Sequence, residues 1–145
     1  MKVAAPIIVA SLMWTACTLA GSAQPVPIEL GRAFSLSPGQ VGQLADGTLR
    51  VGFTGVSADS RCPRGEQCVW AGDATVQVWL QGASGPKHTY ELGAMPGPAQ
   101  ATSALDHELR LVRLDPYPVS GTATASGSYV ATLTLNRTPT PAFKR

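Results

Sequence analysis

The stretch VGQLADGTLRVGFTGV, Val41 to Val56, decides the fold. Its second half alternates: Leu49, Val51 and Phe53 share one side, Arg50, Gly52 and Thr54 the other. A period of two marks a half-buried β-strand. Asp46-Gly47 stands just before it, and that pair is a strong hairpin signal because both residues adopt turn conformations at low cost. Val41 to Leu44 supplies the other arm.

The same pattern recurs on either side. Ala74 to Gln81 sets Val76, Val78 and Leu80 against Thr75, Gln77 and Trp79. Lys87 to Leu92 places His88, Tyr90 and Leu92 on one face, and the loop Gly82 to Pro86 between these two runs predicts a second hairpin. His107 to Leu114 reads as a strand in which Leu111 and Val112 are adjacent. One alternation cannot bury both, which predicts a β-bulge. Asp115-Pro116-Tyr117-Pro118 ends that strand, since proline has no ladder donor. Tyr129, Ala131, Leu133 and Leu135 face one way in the last strand, with threonines opposite. Arg32 to Leu36 is a short further strand before the turn Ser37-Pro38-Gly39. Gly93 to about Ala104, rich in Pro, Gly and Ala, reads as a loop. Helical periodicity over more than two turns is absent downstream of the leader. About seven short strands with turn signals between them predict an all-β domain, a single antiparallel β-sandwich of immunoglobulin-like kind or a small barrel.

The N-terminus carries a different message. Lys2 is followed by an apolar run from Val3 to about Ala20, and Gly21-Ser22-Ala23 offers the small side chains a signal peptidase reads. Residues 1–23 are therefore expected to be a secretory signal peptide, too short and without the basic flank of a membrane anchor. Cys17 follows Ala16 and suggests the alternative of a lipid anchor, although Trp14 stands where such signals carry leucine. Residues 24–137 form one domain by size, and the tail 138–145 reads as disordered. No later segment is apolar enough to span a membrane. A net charge of +2 with no basic cluster excludes nucleic acid as an expected partner. A monomer without a cofactor is expected.

Chemistry concentrates in DSRCPRGEQCVWAGD, Asp59 to Asp73. Once the leader is gone Cys62 and Cys68 are an even pair in an exported chain, and they are expected to form a structural disulfide. Pro63 and Gly65 favour the tight turn that closure needs. Closing seven residues stabilises by about 2.4 kcal/mol in the chain-entropy model. Zinc needs four ligands, and an oxidising compartment sets Cys62 and Cys68 against each other rather than against His88 and His107; no metal is expected. HELRL at His107 lacks the second histidine of a zinc-protease helix and lies in a strand. Neither a Gly-x-Ser-x-Gly nucleophile nor a phosphate-binding glycine loop occurs, so no catalytic residue is assigned. Asp59 or Asp73 is expected to pair with Arg61 and fix the loop, and Trp70 to pack over the disulfide. Pro63 and Gly72 complete the structural set. Arg64 and Glu66 at the tip, and Trp79 on the polar face of its strand, are the expected partner surface.

Asp59-Ser60-Arg61-Cys62-Pro63 followed by Cys68-x-Trp70-Ala71-Gly72 resembles a segment of small exported bacterial proteins and lipoproteins of unknown function. The likeness extends over about residues 50 to 135, through Leu114-Asp115-Pro116-Tyr117-Pro118 and the strand from Tyr129 to Leu135. It implies a secreted β domain and brings no activity with it. The expectation is a non-enzymatic binding or structural module of the bacterial envelope, periplasmic or secreted, with a protein or glycan partner. The alternative is a protease inhibitor that presents Arg61 or Arg64 from the Cys62–Cys68 loop.

Overall fold

The computed structural model describes residues 23–139; residues 1–22 of the expected signal peptide and residues 140–145 of the expected tail lie outside it. Nine strands follow one another: β1 (Val26–Ile28), β2 (Ala33–Leu36), β3 (Val41–Leu44), β4 (Leu49–Asp59), β5 (Ala74–Gly82), β6 (His88–Gly93), β7 (Ala101–Ala104), β8 (His107–Asp115) and β9 (Val130–Arg137). They make two sheets, β1-β3-β4-β5-β6 and β2-β9-β8-β7. Consecutive strands mostly lie side by side, so each sheet is largely a meander. An immunoglobulin order instead passes repeatedly from sheet to sheet.

The opening stretch folds as its pattern requires. Val41 pairs with Gly52 and Gln43 with Arg50. In the turn Gly47 takes φ +72° and donates to the Leu44 carbonyl at 2.8 Å. The Asp46 carboxylate accepts from the N–H and the hydroxyl of Thr48. Leu49, Val51 and Phe53 point inward, and β5 adds Val76, Val78 and Leu80. Leu109, Leu111 and Leu114 of β8 meet them with Ala131, Leu133 and Leu135 of β9. Each such valine, leucine or phenylalanine stabilises the fold by roughly 1.5–3 kcal/mol relative to exposure.

The bulge in β8 is where the two adjacent apolar residues demand it. Leu111 pairs with Leu133 and Arg113 with Thr132, so Val112 has no partner and turns outward. Three features differ from the sequence expectation. β1 runs parallel to β3, with Val26 opposite Gly42, so the pairing is not wholly antiparallel. The stretch expected to be a loop contains a 3-10 turn, Pro98–Gln100, and the edge strand β7. β7 joins β8 through Leu105 and Asp106, both at positive φ (52° and 60°). Thr138, at the start of the tail expected to be disordered, donates to the Asp106 carbonyl.

Candidate functional site

The β4–β5 connection continues the hairpin before it opens into a loop. Ser60 N–H donates to the Asp73 carbonyl at 2.7 Å and Cys62 N–H to the Ala71 carbonyl at 2.9 Å. The disulfide Cys62–Cys68, with Cα atoms 5.9 Å apart, then closes the tip. Gly72 is required at the neck. It has φ +67°, and a Cβ there would collide with the Ser60 carbonyl.

Arg61 turns inward beneath this loop and is only 5% exposed. Its guanidinium forks onto Asp59, Nε to Oδ1 at 2.8 Å and Nη2 to Oδ2 at 2.6 Å. It also donates to the Leu114 carbonyl at 2.9 Å and the Pro116 carbonyl at 3.1 Å. Tyr129 donates its hydroxyl to Asp59 at 3.1 Å, and the Tyr117 ring lies over Arg61, 5.1 Å from the guanidinium carbon to the ring centre. Burying an ion costs several kcal/mol unless pairing and hydrogen bonds offset it, and here both are supplied. The hydrogen bonds from Arg61 hold the Asp59 carboxyl below the usual carboxylate range, against the opposing effect of burial. Burial, then the bond to Asp59, raises the Tyr129 hydroxyl.

Of the two candidate acids, Asp59 is therefore the partner of Arg61. Asp73 does something else: its Oδ1 accepts the N–H groups of Ala74, Ala94 and Met95 at 2.7–2.8 Å. That single carboxylate ties the β6 exit to the start of β5.

The tip is held to the Tyr117–Ser120 segment as well. Arg64 N–H donates to the Pro118 carbonyl, and the Arg64 carbonyl accepts from Ser120 N–H. Arg64 also covers the Tyr117 ring at 5.3 Å. Glu66, expected to be free, accepts from the Ser120 hydroxyl at 2.8 Å. A groove of about 240 Å³ opens beside Tyr117 and Val119, walled by Pro116 and Thr122 to Ala125.

Trp70 corrects the sequence expectation. It does not cover the disulfide; it is 81% exposed, and Val69 beside it is 90% exposed. The space beneath the loop is already taken by Arg61, Asp59 and Tyr117, so Trp70 has no pocket to enter. Trp79, on the outer face of β5, is half-buried. Its ring lies flat on Gly52, where a Cβ would overlap the indole, and the Lys87 ammonium sits 4.3 Å from the ring centre. That geometry gives Trp79 a structural task, covering a glycine across the strand pair.

The structure thus brings Asp59, Arg61, Pro63, Arg64, Glu66, Trp70 and Gly72 together around Cys62–Cys68, and leaves Trp79 on a different surface. Tyr117, Tyr129, Ser120 and the two acceptor carbonyls are parts of the site that sequence spacing did not indicate. Tyr129 carried a signal, an aromatic on the inward face at the start of its strand. Among the described residues no group of three or more His, Cys, Asp or Glu side chains is placed to hold a metal. His88 and His107 lie in β6 and β8 away from the cysteines. No helix among the described residues is long and apolar enough to cross a membrane.

Two sheets around one core, with a rigid cross-linked loop at one end, define a β-sandwich-like module with a presented tip. No family model matches the chain, and no match is found among curated proteins or solved structures.

Proposed function

We propose that the protein is an exported, non-enzymatic module of the bacterial envelope that attaches to another envelope component through its disulfide-closed tip. The observation that carries this reading is the exposure of Val69 and Trp70 on a loop braced from below. Tryptophan is highly buried on average, and it is over-represented among the residues that dominate binding energy. A braced loop loses little conformational freedom on contact, so more of its contact energy survives as affinity. The leader, the disulfide and the resemblance to small exported proteins support a periplasmic or secreted location, with anchoring through Cys17 as the alternative.

The inhibitor alternative is less well served. Arg61 is held under the loop by Asp59. Arg64 keeps its guanidinium at the surface, but its N–H and its carbonyl are both bonded within the chain, so the backbone at that arginine is already engaged.

The test is a pull-down from envelope extract with wild type, Trp70→Ala, Arg64→Ala and Trp79→Ala. The expected result is a partner retained by wild type, Arg64→Ala and Trp79→Ala and lost by Trp70→Ala. The same partners on all four proteins would remove the tip as the binding surface.

A further inference from the structure

The two ends of the molecule differ in charge, and the difference follows the topology. At the end away from the disulfide every connection carries at least one charged residue: Glu29 and Arg32, Asp46, Lys87, and Asp106. At the disulfide end the connections 37–40, 94–100 and 116–129 contain no Asp, Glu, Lys or Arg at all. The remaining connection holds its charges in hand. Arg61 and Asp59 neutralise each other below the surface, Asp73 is occupied by three N–H groups, Arg64 and Glu66 carry opposite charges, and Arg113 pairs with Asp115 where β8 ends.

This end, whose tip charges are the exposed and opposite Arg64 and Glu66, also carries the most exposed apolar side chains. Val69 and Trp70 stand on the tip, and Tyr117 and Val119 are partly exposed on the segment bridged to it. Residues 64 to 71 are all exposed, so the tip protrudes. A protruding pair of apolar residues is a poor fit to a preformed protein surface unless a matching cavity exists. It suits a soft medium, and Trp settles at the membrane–water boundary, where its ring is in an apolar layer and its N–H stays hydrated.

The chain direction agrees. β4 ends at the disulfide loop, β3 runs opposite to β4, and β1 runs parallel to β3. Whatever precedes Val26 therefore reaches the domain from the disulfide end. The apolar segment Val3 to Ala20 and Cys17 belong to that preceding chain, so this is the end nearest to any membrane that holds it.

We infer that the disulfide end is a bilayer-docking surface, in which Val69 and Trp70 enter the interfacial zone of a phospholipid membrane. This rests on the reading of the tip as the attachment point and names its partner. Interfacial binding scales with buried apolar area plus the attraction of basic residues to anionic lipid; this tip has no basic cluster, so the apolar part drives attachment, which requires no anionic lipid and resists salt.

The test uses the processed chain beginning at Gln24, which lacks Cys17, and floats it with phosphatidylcholine vesicles. Wild type is expected to co-float at millimolar lipid, equally well at raised salt. Val69→Ser/Trp70→Ser is expected to bind about ten-fold more weakly, because binding scales with buried apolar area, and Trp70→Phe is expected to retain most binding. In a second measurement brominated lipid should quench the emission of wild type and leave Trp70→Phe, whose one remaining tryptophan is Trp79, unquenched. Absence of flotation, equal flotation of the double variant, or flotation that needs phosphatidylglycerol and disappears with salt would each overturn the inference. An envelope protein captured by wild type and lost by Trp70→Ala, without flotation, overturns the inference alone and leaves the attachment reading standing. Neither flotation nor a Trp70-dependent partner sinks both.

Discussion

Arg61 donates to a carboxylate two residues away and to carbonyls more than fifty residues away, so one side chain joins the tip to the end of β8. Arg61→Ala leaves Asp59 without its counter-ion and two carbonyls without donors. A loss of about 3–5 kcal/mol is expected, read from urea unfolding, and Arg61→Lys should recover little because an ammonium cannot fork. Tyr129→Phe removes one bond to the ionised Asp59 and should cost about 1.5–3 kcal/mol. The pH dependence has a definite sign. Asp59 has a lower pKa folded than unfolded, and a free aspartate titrates near about 3.9. Its contribution is complete above that value and is lost as pH falls through the lower, folded value. Unfolding midpoints measured through the acid range should therefore drop more steeply for wild type than for Asp59→Asn; parallel curves would show that other carboxylates set the acid limit. Gly72→Ala meets both a left-handed backbone, worth about 1–3 kcal/mol, and the Ser60 carbonyl. It should lower the midpoint more than a change at any exposed position of the tip.

At the scale of elements, the bulge in β8 gives the sharpest expectation. Val112 is the one residue of β8 between Leu111 and Leu114 that lacks a partner on β9, so deleting it leaves the inward positions of both leucines unchanged. Deleting Arg110 instead shifts Leu109 to the wrong face. The first deletion should fold with a thermal midpoint near that of wild type, and the second should not fold. This bulge was legible because Leu111-Val112 breaks a pattern that is otherwise regular. The β3–β4 and β5–β6 hairpins were legible for the same reason, as their alternation is strong and their turns hold Asp-Gly or Gly/Ser/Pro. β1 was not, because Val26-Pro27-Ile28 is short and contains proline. β7 was not, because Ala-Thr-Ser-Ala has no apolar alternation, and its turn opens at positive φ on Leu105, a residue type that rarely accepts it. In the loop, the Asp59/Arg61 pairing could be read down to two acids. The outward turn of Trp70 could not, since it depends on Tyr117 arriving from more than forty residues away to fill the space.

For the molecule as a whole, the disulfide and the buried ion pair divide the work. Cys62→Ala/Cys68→Ala should cost about 2.4 kcal/mol, with faster amide exchange confined to residues 63–70 while the core strands keep their protection. Loss of tip attachment without loss of the fold is the expected phenotype, measured by pull-down or flotation beside a thermal scan. Unchanged attachment in that variant would show that the cross-link is dispensable for presentation. The strand order has a separate implication. The chain is synthesised from its N-terminus, yet β1 must wait for β3, and β2 pairs with β9, nearly a hundred residues later. The four-stranded sheet cannot acquire its β2 edge until the last strand has been made. Pairings this distant in sequence form slowly, so β2 is among the last segments to be locked in place. A nascent chain thus holds β2 without its partner strand through most of synthesis.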